Sequence, residues 1–241
     1  RCRNEKSFII LIFMKKNILI IISLLSFLGS QSMYLGNSKK NAYAVLSLYS
    51  EGENKTFTGS VMQNSYHEYG IGFTSVINGN HELSLLSRKN NIDNRTWKGF
   101  SSVYNFYLKP KSPVKYFFGT AFSRIENQND NVDEYELKFG LYGEIKGAKS
   151  TGLSYYPFFQ IGKQREIINL ESIDDATNSY TTTTAGISFM FQDSKTTGIG
   201  IEPSYTTIMF DKGDKDCSNI DCDYYYIGLK IYLWEYGSFR K

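Results

Sequence analysis

His67 and His81 are the only imidazoles in this chain of 241 residues, and each is followed by a carboxylate: His67-Glu68 in NSYHEYG, and His81-Glu82 in HELS, with Ser84 close behind. Acid, imidazole and hydroxyl are the parts of a nucleophilic relay, in which the carboxylate orients the base and the base takes the hydroxyl proton. Such a relay must converge on one side of the backbone. Adjacent residues of an extended segment point to opposite faces, so His81 and Glu82 are not expected to meet in a strand. No Asp-x-His pair occurs anywhere in the sequence. Both histidines therefore read as polar groups at the ends of strands, with His67 the better candidate for a base.

A second set of charged residues has a clearer spacing. Glu136, Lys138 and Glu144 alternate with apolar residues in YELKFGLYGEI, as do Glu202 in GIGIEPSYT and Lys230 in YYYIGLKIYLW. In a strand this parity puts all five on the face opposite the leucines and aromatics. Charges of both signs confined to one narrow space are expected to pair, because unpaired burial is costly. Glu202 is expected to lie opposite Tyr232, one diagonal step from Lys230. The same charges would also suit the lining of a selective channel.

Metal and redox chemistry is less well represented. Cys217 and Cys222 stand with four residues between them in DKDCSNIDCDY and most simply form a local disulfide. A zinc site would need two further Cys or His ligands, and the histidines are remote in sequence. The acidic stretches IENQNDNVDEY and DKGDKDCSNIDCDY lack the spaced Asp pattern of a calcium loop, so they read as solvated surface. No cofactor and no metal are expected.

Strands must position all these groups. Thr181–Phe191 and Thr197–Phe210 alternate small polar with apolar residues at a period of two, and ten segments do so altogether: roughly 42–50, 69–77, 81–88, 96–108, 114–124, 135–145, 153–163, 180–191, 198–210 and 224–234. Most are longer than the five or six residues usual in globular sheets; a tilted strand crossing a bilayer needs about 9–11. Short connections at 78–80, 109–113, 146–152 and 192–197 alternate with long polar ones at 51–68, 89–95, 125–134, 164–179 and 211–223. That sorting fits a barrel with short turns on one rim and long loops on the other. Pro157 and Pro203 fall inside predicted strands, where each needs a bulge or a bend.

From Met14, MKKNILIIISLLSFLGSQS has a basic start, an apolar run and a small-residue end, the layout of a secretory signal peptide over 14–32. Residues 1–13 read as an upstream segment and 33–241 as one domain. Removing residues 1–32 takes away five of 27 basic and one of 24 acidic residues, leaving 22 and 23. The basic excess vanishes, and nucleic acid is not an expected partner.

With these features the chain resembles the small bacterial outer-membrane β-barrels of the opacity-protein and porin-like type, over about residues 42–234. The resemblance implies an all-β, antiparallel up-and-down transmembrane barrel of about ten strands (eight or twelve as alternatives). It implies export through the periplasm, insertion by the barrel-insertion machinery, and contact with outer-membrane lipid and lipopolysaccharide. Omptin-like proteases and lipid A deacylases share the architecture, but their rim residues have no full counterpart in His67 or in HELS. The expected role is non-enzymatic: structure, surface contact or limited passage of solutes through a lumen that side chains largely fill. A rim hydrolase and a soluble secreted barrel with an apolar ligand are the alternatives.

Overall fold

The computed structural model describes residues 42–56, 65–78, 80–92, 95–108, 114–128, 130–146, 153–170, 173–192, 197–211 and 224–238. The segment 14–32 and the Cys217/Cys222 pair lie outside the described residues. The strands are β1 (Ala42–Thr56), β2 (Ser65–Ile77), β3 (His81–Ile92), β4 (Arg95–Leu108), β5 (Val114–Asn127), β6 (Asp130–Gly143), the two-residue β7 (Ile145–Lys146), β8 (Leu153–Leu170), β9 (Ile173–Gln192), β10 (Thr197–Phe210) and β11 (Tyr224–Ser238). Consecutive strands pair antiparallel, β6 pairs with β8, and β1 pairs with β11 from Ala42↔Ser238 to Thr56↔Tyr224. The ring therefore closes with ten long strands and no free edge, β7 being a short continuation of β6.

Its wall is inside out compared with a water-soluble barrel. On β6, Tyr135 is 46% and Leu137 69% exposed on the outside, while Glu136 and Lys138 between them are 5% and 4% exposed on the inside. The same parity puts Ile71, Phe73, Leu85, Phe100, Phe118, Phe139, Phe159 and Ile161 on the outer surface. Apolar residues outside and polar ones inside is the arrangement a lipid bilayer selects, and closing the ring removes the free strand edge that hydrocarbon would not tolerate. The greasy face meets lipid, and the barrel spans the outer membrane.

Strand ends differ from the sequence expectation on one rim. The segments 89–95, 125–134 and 164–179, expected as long loops, are mostly strand. Only residues 93–94 separate β3 from β4, 128–129 separate β5 from β6, and 171–172 separate β8 from β9. None of these dipeptides (Asp-Asn, Gln-Asn, Glu-Ser) contains the glycine that marks a hairpin turn, yet Gln128 adopts a φ of 54° without it. With 18 and 20 residues, β8 and β9 exceed what a bilayer requires. Their surplus projects from the rim away from the termini, where the outward residues turn polar at Lys163 and Arg165. Short periplasmic turns and taller outer loops make that rim the external one.

The prolines interrupt ladders without shifting register. Tyr142↔Phe158 and Ile145↔Tyr155 keep one register around Pro157, and the missing pairs between them separate β7 from β6 at Glu144. Likewise Ile201↔Phe189 and Ser204↔Gly186 flank Pro203 in one register. Neither proline needs the expected bulge; a lost N–H leaves a gap in hydrogen bonding, and the paired strands on either side hold the alignment. The register irregularity lies instead between Ile168 and Leu170, in the external part of β8.

Candidate functional site

Among the described residues, chemically capable side chains converge in the lumen, which is built in three layers. At the periplasmic end Tyr107, Phe117 and Tyr142 form an aromatic floor, with ring centroids 5.9 Å apart for Tyr107–Phe117 and Tyr107–Tyr142. Tyr156, Phe158 and Met190 are also buried there, on β8 and β9. Glycines make this floor possible. Gly140 is the cross-strand partner of Phe117, and a methyl group on it would stand 2.2 Å from the phenyl ring. Gly186 takes the Phe158 ring in the same way, with 2.7 Å to a hypothetical Cβ.

Above the floor, Glu82 is held by neutral donors. It accepts hydrogen bonds from Tyr107 Oη, from Ser84 Oγ at 3.0 Å, from Asn105 Nδ2 at 3.3 Å and from Thr74 Oγ1 at 3.4 Å. Across the lumen Lys138 sits between two glycines, Gly119 on β5 and Gly162 on β8, which are its register partners. Its Nζ lies 3.7 Å from Glu136 Oε2. Glu202 is fully buried and accepts a hydrogen bond from Ser188 Oγ.

Nearer the outside, Arg88 organises a second carboxylate group. Its Nε donates to Glu68 Oε1 at 2.6 Å, and Nη1 donates to Ser123 Oγ at 2.7 Å. To do so the side chain reaches past β4, where its register partner is Gly99. Ser123 stands opposite Glu134, and Glu134 opposite Glu166. Glu166 accepts hydrogen bonds from Asn178 Nδ2 at 3.1 Å and Tyr180 Oη at 3.4 Å. Over this group Ile125, Val132 and Ile168 line up on β5, β6 and β8, with Trp97 buried on β4. They form an apolar row on this side of the inner wall.

Of the five expected lumen charges, Glu136, Lys138 and Glu202 are buried inside as the parity requires. Glu144 is half-buried at the break between β6 and β7, on the periplasmic rim. Lys230 occupies a register position directly across from Glu202, and Tyr232 is opposite Gly200. The expected diagonal between Glu202 and Lys230 is therefore corrected by one ladder step, the register being set by the paired strands and not by the centre of the 211–223 connection. Sequence parity missed Glu68, Arg88, Glu134 and Glu166. Arg88 closed the predicted strand 81–88 and the other three lay in segments read as loops; carrying the alternation of β6 two residues upstream of Glu136 would have found Glu134. Glu82 was placed on the face opposite His81 but not recognised as a lumen group.

Neither histidine belongs to the lumen. His81 is exposed on the wall, with Nδ1 2.8 Å from Tyr104 Oη and its ring 5.1 Å from Phe106. His67 is exposed beside Tyr49 Oη at 3.4 Å, while Glu68 points inward to Arg88. Each His–Glu neighbour pair is split by the wall. Among the described residues no group of three or more His, Cys, Asp and Glu could hold a metal ion.

No family model and no curated protein matches the sequence. Solved structures with similar architecture include the β domain of the Bordetella autotransporter BrkA (TM-score 0.46, 10% identity, covering 83% of this chain and 100% of that one). LpxR from Salmonella typhimurium aligns with a TM-score of 0.42 at 10% identity over 80% of this chain and 99% of its own. The outer-membrane protease OmpT from Escherichia coli aligns at 0.40 with 8% identity, over 84% and 98% respectively. At such identities nothing about activity passes to this chain.

Proposed function

We propose that the protein is a non-enzymatic outer-membrane barrel whose lumen is closed to ions at rest, and which acts through its outer wall and its tall external hairpins. The observation behind this reading is that, among the described residues, many side chains on the inner face are inaccessible to water: Thr74, Val76, Tyr142, Tyr180, Glu202, Thr206 and Ile208 are each 0% exposed. A water-filled channel would leave its lining wet. In a barrel of ten strands the interior is narrow enough for side chains to fill. Aromatic rings below and an apolar row above flank the polar layer on the β4–β8 side.

Single-channel recording in planar bilayers tests it. The expected result is no discrete steps from protein shown by protease protection to be inserted. Steps of constant size at low voltage would overturn the closed reading. A second reading, limited passage of small cations, draws support from charge: among the described residues the buried acids Glu68, Glu82, Glu134, Glu136, Glu166 and Glu202 outnumber the buried bases Arg88 and Lys138. If steps appear, that imbalance predicts cation selectivity, weakened by Glu202→Gln.

A further inference from the structure

The outer wall over β2, β3 and β4 combines two features that nothing in the lumen explains. The first is electrostatic. Lys89 and Lys98 are direct cross-strand partners, and both are exposed on the outward face. Like charges facing each other across a ladder destabilise it, and among the described residues neither lysine forms an ion pair. Glu126 is the register partner of Lys98 on the far side and Tyr69 that of Lys89; one carboxylate beside two ammonium groups leaves a net positive charge on this row. The nearby Arg124 is engaged differently, with Nε 3.6 Å from Asp133 Oδ1.

The second feature is a groove directly beneath. Ile71, Ser87 and Phe100 form one row across the three strands, with Leu85 and Phe73 in the next row down. Ser87 is the small residue in the middle of its row, so the wall dips there. Ile71, Phe73, Leu85, Ser87 and Phe100 line an open apolar groove of about 520 Å³. Lys89 follows Ser87 by two residues on the same face of β3, so the charge sits about 7 Å above the groove floor. Both features lie toward the external rim, where the outer leaflet of the membrane meets the wall.

We infer that this surface is a binding site for the lipid A part of lipopolysaccharide, with a glucosamine phosphate between Lys89 and Lys98 and an acyl chain in the groove over Ser87. A phosphate between two opposed ammonium groups removes their repulsion and adds charge-assisted hydrogen bonds. The groove offers one chain an apolar bed with raised sides. Lipid A is the phosphorylated lipid of the outer leaflet, and the position of the site on the external side selects it over the phospholipids of the inner leaflet. No covalent step is involved.

Native mass spectrometry of the full chain in detergent tests this, titrating lipid A, its dephosphorylated form and phosphatidylglycerol. One lipid A should bind preferentially. Lys89→Ala with Lys98→Ala should weaken it at least tenfold, as should loss of the phosphates, while the remote pair Lys163→Ala with Arg165→Ala should leave it unchanged. Ser87→Leu, which fills the groove and leaves the charge intact, should also weaken binding. The lysine variants lie on the surface and keep the fold assayable even if Ser87→Leu does not insert. Undiminished binding to the Lys89/Lys98 variant overturns the site. Equal binding of phosphatidylglycerol with the same lysine dependence overturns its assignment to lipid A.

Discussion

Glu82 and Glu68 are both buried carboxylates in one lumen, and they are held in opposite ways. Glu82 is surrounded by hydroxyls and an amide, from Thr74, Ser84, Asn105 and Tyr107, which share its charge without adding another. Glu68 is bound by the guanidinium of Arg88, whose second branch reaches Ser123 on β5. The first arrangement is local, confined to β2, β3 and β4. The second ties β2 to β5 across the inside of the barrel, and its worth depends on one cation. A neutral cage loses strength in small steps, whereas an ion-centred group fails all at once.

The largest effect should come from Arg88→Leu. It removes the ion pair that holds the buried Glu68 carboxylate, and the urea midpoint of the folded barrel should fall by the equivalent of about 3–5 kcal/mol. Tyr107→Phe removes the ring hydroxyl from Glu82 and keeps the aromatic floor, so about 1–3 kcal/mol should be lost. A loss as large as that of Arg88→Leu would remove the contrast between the two sites. Glu134→Gln should have the opposite sign. Glu134 faces Glu166 directly across the ladder, and relieving that repulsion should raise stability by about 0.5–1 kcal/mol in the same assay. Ser84→Ala should have the smallest effect, about 0.5–1 kcal/mol, because three other donors still serve Glu82.

Much of this was legible in the sequence, and the reason is the strictness of a period of two. The parity of YELKFGLYGEI alone places Glu136 and Lys138 inside and Leu137 and Phe139 outside, and the structure agrees at each position. The Arg88 group was not legible, because its members lie where the outward residues turn polar. Once Lys163 and Arg165 replace aromatics outside, the alternation between greasy and polar faces disappears although the strand continues. Hairpins turning at Asp-Asn, Gln-Asn and Glu-Ser added no punctuation of their own. Membrane strands are thus read most easily where lipid touches them, and their external extensions resemble loops. The wall site at Lys89 and Lys98 was hidden for another reason: it depends on register across three strands, which no single segment contains.

The β1–β11 seam also governs how the protein can come apart. Each hairpin joins strands with two to thirteen residues between them, whereas this seam joins segments separated by nearly the whole domain. Closing it costs roughly 4 kcal/mol more chain entropy than closing a two-residue turn, so it should form last. Once formed, it leaves the ring without an end from which to peel. Every strand then has to break two ladders before it can leave, and a closed circle of this kind owes its lifetime to the height of that barrier more than to the depth of its free-energy minimum.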